Sequence, residues 1–139
     1  MAAPVDLLRR VPLFQHLSDK ELKLVSESFS DRNFRNGQEL TTEGQGAAGF
    51  FVIESGEAVV TVDGEERRRL ASGDFFGEIA LIDGGLRTAT ITATSDGRAY
   101  GLTPWVFRPL LEKHGSIAWP LLEAMAKRVR ELEQTHHAA

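Results

Sequence analysis

Apolar and polar positions change their rhythm twice along the chain. In VDLLRRVPLF the apolar residues fall at helical spacing and stop near Pro12. Ser18 then stands three residues before Glu21, a capping-box pattern that opens a helix over ELKLVSESF. From Asn33 to Leu102 the texture becomes short apolar runs cut by glycine: NFRNGQELTTEG, AGFFVIESGEAVVTVDG, ERRRLASGDFF and RTATITATSDGRAYGL. Turn signals at such short intervals predict an all-β barrel or sandwich. Asp63-Gly64 between VVTV and ERRRL is a two-residue hairpin signal, and Ser55-Gly56 between FFVI and EAVV predicts a second meander turn.

Helical spacing returns after Leu102. Thr103-Pro104 supplies an N-cap and a proline at the first helical position before WVFRPLLEKHG, where Pro109 predicts a kink or a broken turn. In SIAWPLLEAMAKRVRELEQ, Ala118, Leu122, Met125, Val129 and Leu132 recur at spacings of four and three. The simplest reading packs this seam on the chain's own barrel; homodimerisation through the last helix is the alternative. The boundaries are one domain over 1–139, with a helical lead-in over 1–30, a β region over 31–103 and C-terminal helices over 104–135.

Composition narrows the chemistry. With 139 residues there is room for one core, and 42% hydrophobic and 26% charged residues are ordinary for a soluble globular chain. The net charge of -4 argues against broad capture of nucleic acid, so an anionic ligand must be held locally. Absence of cysteine excludes thiol catalysis, disulfides and thiolate metal sites. His16, His114, His136 and His137 do not form a metal-ligand pattern on strands, so neither a metal site nor catalytic residues are expected. Nor is there a signal-peptide-like or bilayer-spanning apolar run, which predicts a cytoplasmic chain with no membrane partner.

The chemistry concentrates in FFGEIALIDGGLRTATITA. Gly77-Glu78 precedes IALI, about one helical turn whose first N–H groups lack partners and attract anions. Arg87 can return to the same place through Gly84-Gly85 and offer a forked cation to a phosphate. Glu78 would repel a bare anion, but it fits a ligand with a hydroxyl beside its anionic group, as in a nucleotide with a free ribose hydroxyl. Alternatively, Glu78 caps the short helix and pairs with Arg87. Beyond Arg87, Ala89, Ile91 and Ala93 share one strand face, leaving space inside, and the threonines take the other.

Phe76, Gly77, Glu78, Ile79, Ala80, Leu81, Arg87, Thr88 and Ala89 together resemble the phosphate-binding cassette of the cyclic nucleotide-binding domain family. The lead-in LLRRVPLFQHLSDKEL and the strands around Gly37, Gly44 and Gly56 extend the resemblance over nearly the whole chain. It implies a mainly β fold, an eight-stranded β-roll or jelly-roll barrel with N-terminal helices and two C-terminal helices.

By the same resemblance, Glu78 accepts the ribose 2′-OH and Arg87 binds the exocyclic phosphate oxygens. The N–H groups of Ala80 and of Thr88 or Ala89 complete the phosphate cradle, Gly77 admits the ribose and Ile79 gives an apolar contact. Thr88 stands where a hydroxyl in related domains can favour a syn guanine. Leu86 replaces a frequent proline, so the turn before Arg87 is less rigid. The base cap has no motif; Arg128, Arg130 and Leu132 are its candidates.

The implied function is non-catalytic sensing of a cyclic nucleotide without further cofactor, with cyclic AMP expected and cyclic GMP open. The alternatives are a nucleotide-free protein-interaction module of the same fold, or the ligand-binding part of a larger regulator. No helix-turn-helix follows the last helix before Ala139, so the reading expects an effector protein, unspecified here, or a fragment of a longer chain.

Overall fold

The computed structural model describes residues 3–42, 44, 49–83 and 89–138, with side chains as far as 135. The lead-in forms α1 (Val5–Leu8), a 3-10 turn over Pro12–Phe14 and α2 (Asp19–Glu27). Ser18 and Glu21 form the capping box reciprocally: the Ser18 hydroxyl accepts from the Glu21 N–H and the Glu21 carboxylate from the Ser18 N–H. That backbone donor holds the Glu21 carboxyl below its usual range.

Eight strands follow among the described residues: β1 (Ser30–Asp31), β2 (Glu39–Thr41), β3 (Phe50–Ser55), β4 (Ala58–Val62), β5 (Glu65–Leu70), β6 (Phe75–Phe76), β7 (Thr90–Ala93) and β8 (Arg98–Leu102). They pair as two four-stranded antiparallel sheets, ordered β1-β8-β3-β6 and β2-β7-β4-β5. Asp63 and Gly64 both take positive φ, 53° and 81°, which closes the expected β4–β5 hairpin. The turn at Ser55-Gly56 differs from expectation. β3 and β4 belong to different sheets, so it is a corner between sheets and not a hairpin. Gly56 has φ +93°, and a Cβ there would lie 2.7 Å from the Asp96 carbonyl oxygen, so the chain can turn that corner only without a side chain.

The apolar core lies where the helices meet the sheets. Phe14, Phe29 and Phe50 pack edge to face with centroids 5.9–6.5 Å apart, joined by Phe107, Ile117 and Leu121. Ile53, Ala58, Leu70 and Ile91 fill the space between the sheets as a smaller cluster.

α4 (Pro104–Lys113) runs unbroken through Pro109. Proline there removes the N–H that would serve the Trp105 carbonyl, and Trp105 is exposed enough for water to replace it. After a second 3-10 turn, α5 (Ala118–Ala138) docks by a face other than the expected one. Ile117, Leu121 and Ala124 are buried, whereas Leu122, Val129 and Leu132 are 58%, 51% and 64% exposed. Leu122, Val129 and Leu132 of the seam therefore face away from the barrel, whereas Ala118 and Met125 are half-buried and Met125 packs against the core. Among the described residues no helix is long and apolar enough to cross a membrane.

Candidate functional site

The site begins where β6 ends. β6 is tied to β3 with Phe51 opposite Phe76 and their rings stacked at 5.0 Å. Gly77 then takes φ +86°, turning the chain directly into α3 (Glu78–Asp83). Leu81 anchors α3 in the core while Ile79 faces outward, so the helix is fixed on one side and open on the other. Within a helix that starts at Glu78, the N–H groups of Glu78, Ile79 and Ala80 have no intrahelical acceptor; the Leu81 N–H donates to the Gly77 carbonyl.

Glu78 is only 5% exposed. Its Oε1 accepts from Arg128 Nη1 on α5. Its Oε2 is buried and has no hydrogen-bond partner among the described residues. A buried carboxylate oxygen without a donor is costly, so a partner is expected from beyond the described residues. Arg128 reaches Glu78 because it continues the docked stripe: Ile117, Leu121, Ala124 and Arg128 succeed one another at spacings of four, three and four.

Gly77, Glu78, Ile79, Ala80, Ala89 and Arg128 all line one cavity of about 460 Å³. Six predicted site residues are thus brought together. Its remaining wall comes from the strands, at Thr41, Val60, Arg68, Leu70 and Ile91, with Phe75 and Phe76 before α3 and Asp83 at its end. The Thr41 hydroxyl donates to the Ala89 carbonyl at 3.2 Å, fixing the entry to β7 against β2. On β7, Ile91 and Ala93 are buried and Thr90 and Thr92 half-buried, the alternation expected of this strand. A second cavity of about 340 Å³ touches the same ion pair, between Pro12, Gln15, Lys127 and Glu131, so Glu78 and Arg128 form a shared wall.

Arg87 and Thr88, with the Gly84-Gly85 turn and Leu86, lie outside the described residues. Arg130 and Leu132 do not line the cavity; of the three base-cap candidates only Arg128 does, and it contacts Glu78. The sequence reading missed Arg68, although alternation along ERRRL could have found it: it shares a strand face with buried Leu70. A larger cavity, about 630 Å³, lies among Asn33–Arg35, Gln38, Glu54 and Asp96–Arg98. Its carboxylates are occupied: Glu54 accepts from Tyr100 and pairs with Arg98, and Asp96 accepts from the Asn36 N–H. It contains none of the predicted residues.

Comparison with known proteins bears on the family and the fold. The profile of the cyclic nucleotide-binding domain matches residues 31–114. The cAMP-dependent protein kinase regulatory subunit of Colletotrichum orbiculare is 36% identical over 108 residues, covering 76% of this chain and 28% of that protein. The cGMP-dependent protein kinase of Toxoplasma gondii is 28% identical over 124 residues, covering 89% of this chain and 12% of that protein. The chain therefore spans under a third of the length of these relatives. Among solved structures, the N-terminal domain of a transcriptional regulator from Streptomyces coelicolor A3(2) superposes with a TM-score of 0.84 at 30% identity, covering 94% of both chains.

Proposed function

The chain belongs to the cyclic nucleotide-binding domain family, and from that premise we propose that it is a non-catalytic sensor whose 460 Å³ cavity holds a 3′,5′-cyclic nucleotide, cyclic AMP first among them. The observation that carries this reading is the buried Oε2 of Glu78 at the cavity wall, which has no partner among the described residues. A ribose 2′-OH is the donor it lacks. The phosphate goes to Arg87 and to the N–H groups of Ala80 and of Thr88 or Ala89, with Gly77 admitting the sugar and Ile79 touching it. Arg128, on this reading, braces Glu78 at the cavity wall and does not cap the base. The cAMP-dependent relative supports cyclic AMP as the ligand.

Because Arg128 belongs to α5, a ligand on Glu78 acts on that helix directly. Binding draws α4 and α5 toward the cavity and changes what the exposed seam of Leu122, Val129 and Leu132 can contact, a two-state shift biased by the ligand. A second copy of the chain, paired through that seam, is the partner its apolar spacing suits.

Calorimetric titration with cyclic AMP tests the site. Glu78→Ala is expected to weaken binding roughly 10- to 150-fold, the worth of a hydrogen bond to a charged group. Arg87→Ala is expected to cost about 30-fold or more, because a buried phosphate loses its counter-charge. With saturating nucleotide, amide exchange over residues 104–132 should slow. Unchanged affinity in both variants overturns the assignment, and a wild-type chain that binds no cyclic nucleotide leaves the protein-interaction module as its function.

A further inference from the structure

Thr41 is a polar residue in an apolar stretch of wall. It is 6% exposed and lines the candidate cavity beside Val60, Leu70 and Ile91, where a valine of similar shape would bury with no hydroxyl to satisfy. Regular alternation along β2 would put Thr41 on the exposed face of Glu39. A bulge prevents this. Glu39 stands opposite Thr92 but Thr41 opposite Ile91, so Leu40 is the extra residue and Thr41 turns onto the buried face that Ile91 occupies. There its hydroxyl donates to the Ala89 carbonyl at 3.2 Å, two residues beyond the last β2–β7 pair among the described residues.

We infer that Thr41 is a positioning residue for the phosphate: by holding the carbonyl of Ala89, it aims the N–H of that residue into the cavity. This rests on the cyclic nucleotide reading above, in which the N–H groups of Ala80 and of Thr88 or Ala89 receive the phosphate beside Arg87. A threonine hydroxyl has one hydrogen to donate. Thr41 gives it to Ala89, which leaves none for a phosphate oxygen, so its effect passes through the backbone. The peptide after Ala89 is fixed against β2, and only the two backbone rotations of Ala89 separate that peptide from the Ala89 N–H. Ala89 itself lines the cavity. Thr61 gives the contrast. Its hydroxyl donates to the Thr90 carbonyl at 3.4 Å from β4, on the other side of β7, and it does not line the cavity. The same kind of bond there enters the same strand without facing the site.

The test is calorimetric titration of the wild-type chain, Thr41→Val, Thr41→Ser and Thr61→Val with cyclic AMP and with its two phosphorothioate diastereomers, each carrying sulfur in place of one exocyclic oxygen. Sulfur accepts hydrogen bonds weakly, so a chain whose N–H reads one of these oxygens binds the two diastereomers unequally. The wild-type chain is expected to do so. Thr41→Val should weaken cyclic AMP binding roughly 5- to 30-fold and narrow the preference between diastereomers about threefold or more. Thr41→Ser should restore both, and Thr61→Val should change neither by more than about twofold. A merely structural loosening of the barrel lowers affinity for both diastereomers in proportion and leaves their ratio unchanged. The ratio does not depend on the fraction of chain that is folded, so it decides the matter even where Thr41→Val is partly unfolded. An unchanged ratio in Thr41→Val overturns the inference, as does equal binding of the diastereomers by the wild-type chain, an equal loss in Thr61→Val, or no loss in Thr41→Val. Each of these leaves the functional reading standing while the wild-type chain binds cyclic AMP; a wild-type chain that binds no cyclic nucleotide overturns both.

Discussion

Around Phe50 the packing is of rings and aliphatic chains of the same molecule; around Glu78 a carboxylate is buried with one oxygen paired to Arg128 and the other to nothing described. The ring cluster of the first region is filled by the chain itself. On the proposed function, a ligand's donor completes the second. Two elements join them: α3, with Leu81 in the core and Glu78 at the cavity, and α5, with Leu121 in the core and Arg128 on Glu78. What the difference teaches is a division of labour. The apolar core anchors both helices, and on the proposed function the carboxylate is where a ligand would act on them.

Truncating a ring in the first region should have the largest effect on stability. Phe50→Ala is expected to lower unfolding free energy by about 3–5 kcal/mol in urea titration, since Phe50 is fully buried against Phe14, Phe29 and Phe75. The folded fraction should keep its nucleotide affinity within about threefold. A comparable loss of affinity would mean that the two regions are not separable.

The Glu78 region should respond asymmetrically. Arg128→Ala strands a buried carboxylate and is expected to cost about 1–3 kcal/mol, discounted because Arg128 itself is partly exposed. Glu78→Gln removes the buried charge instead and should cost less in urea titration, even though it impairs binding. The reverse order of stabilities would show that the pair is a structural brace and that the site is not held open at the expense of a buried charge.

How far this was legible in the sequence follows the same division. Gly77 and Glu78 could be read because a positive-φ glycine before a single helical turn leaves a local signature, and the capping box at Ser18 and the Asp63-Gly64 hairpin are equally local. The corner at Ser55-Gly56 was misread because its dipeptide suits a hairpin, and only the pairing of β3 with β8 and of β4 with β7 decides against one. Arg128 was nominated for the base, yet its contact depends on which stripe of α5 docks. Both the 117-121-124 stripe and the 118-122-125 stripe are apolar at helical spacing, and periodicity alone cannot choose between them.

That ambiguity frames the smallest expected effect on stability. Leu122→Ser with Leu132→Ser changes two residues that are more than half exposed, so the monomer's unfolding free energy should move by no more than about 0.5 kcal/mol per site. Size-exclusion chromatography with light scattering should nevertheless register a fall from dimeric to monomeric mass, because the seam at these positions has the four-three spacing of a helix pair and no cover from its own barrel. A marked loss of monomer stability would place the seam against the barrel after all. A wild-type chain that is already monomeric at high concentration would remove the second copy as its partner. If mass falls as expected, the nucleotide affinity of the double variant becomes informative: Arg128 lies between Met125 and Val129 on the same helix, so a dimer that holds α5 in place also holds the arginine on Glu78, and releasing one must alter the other.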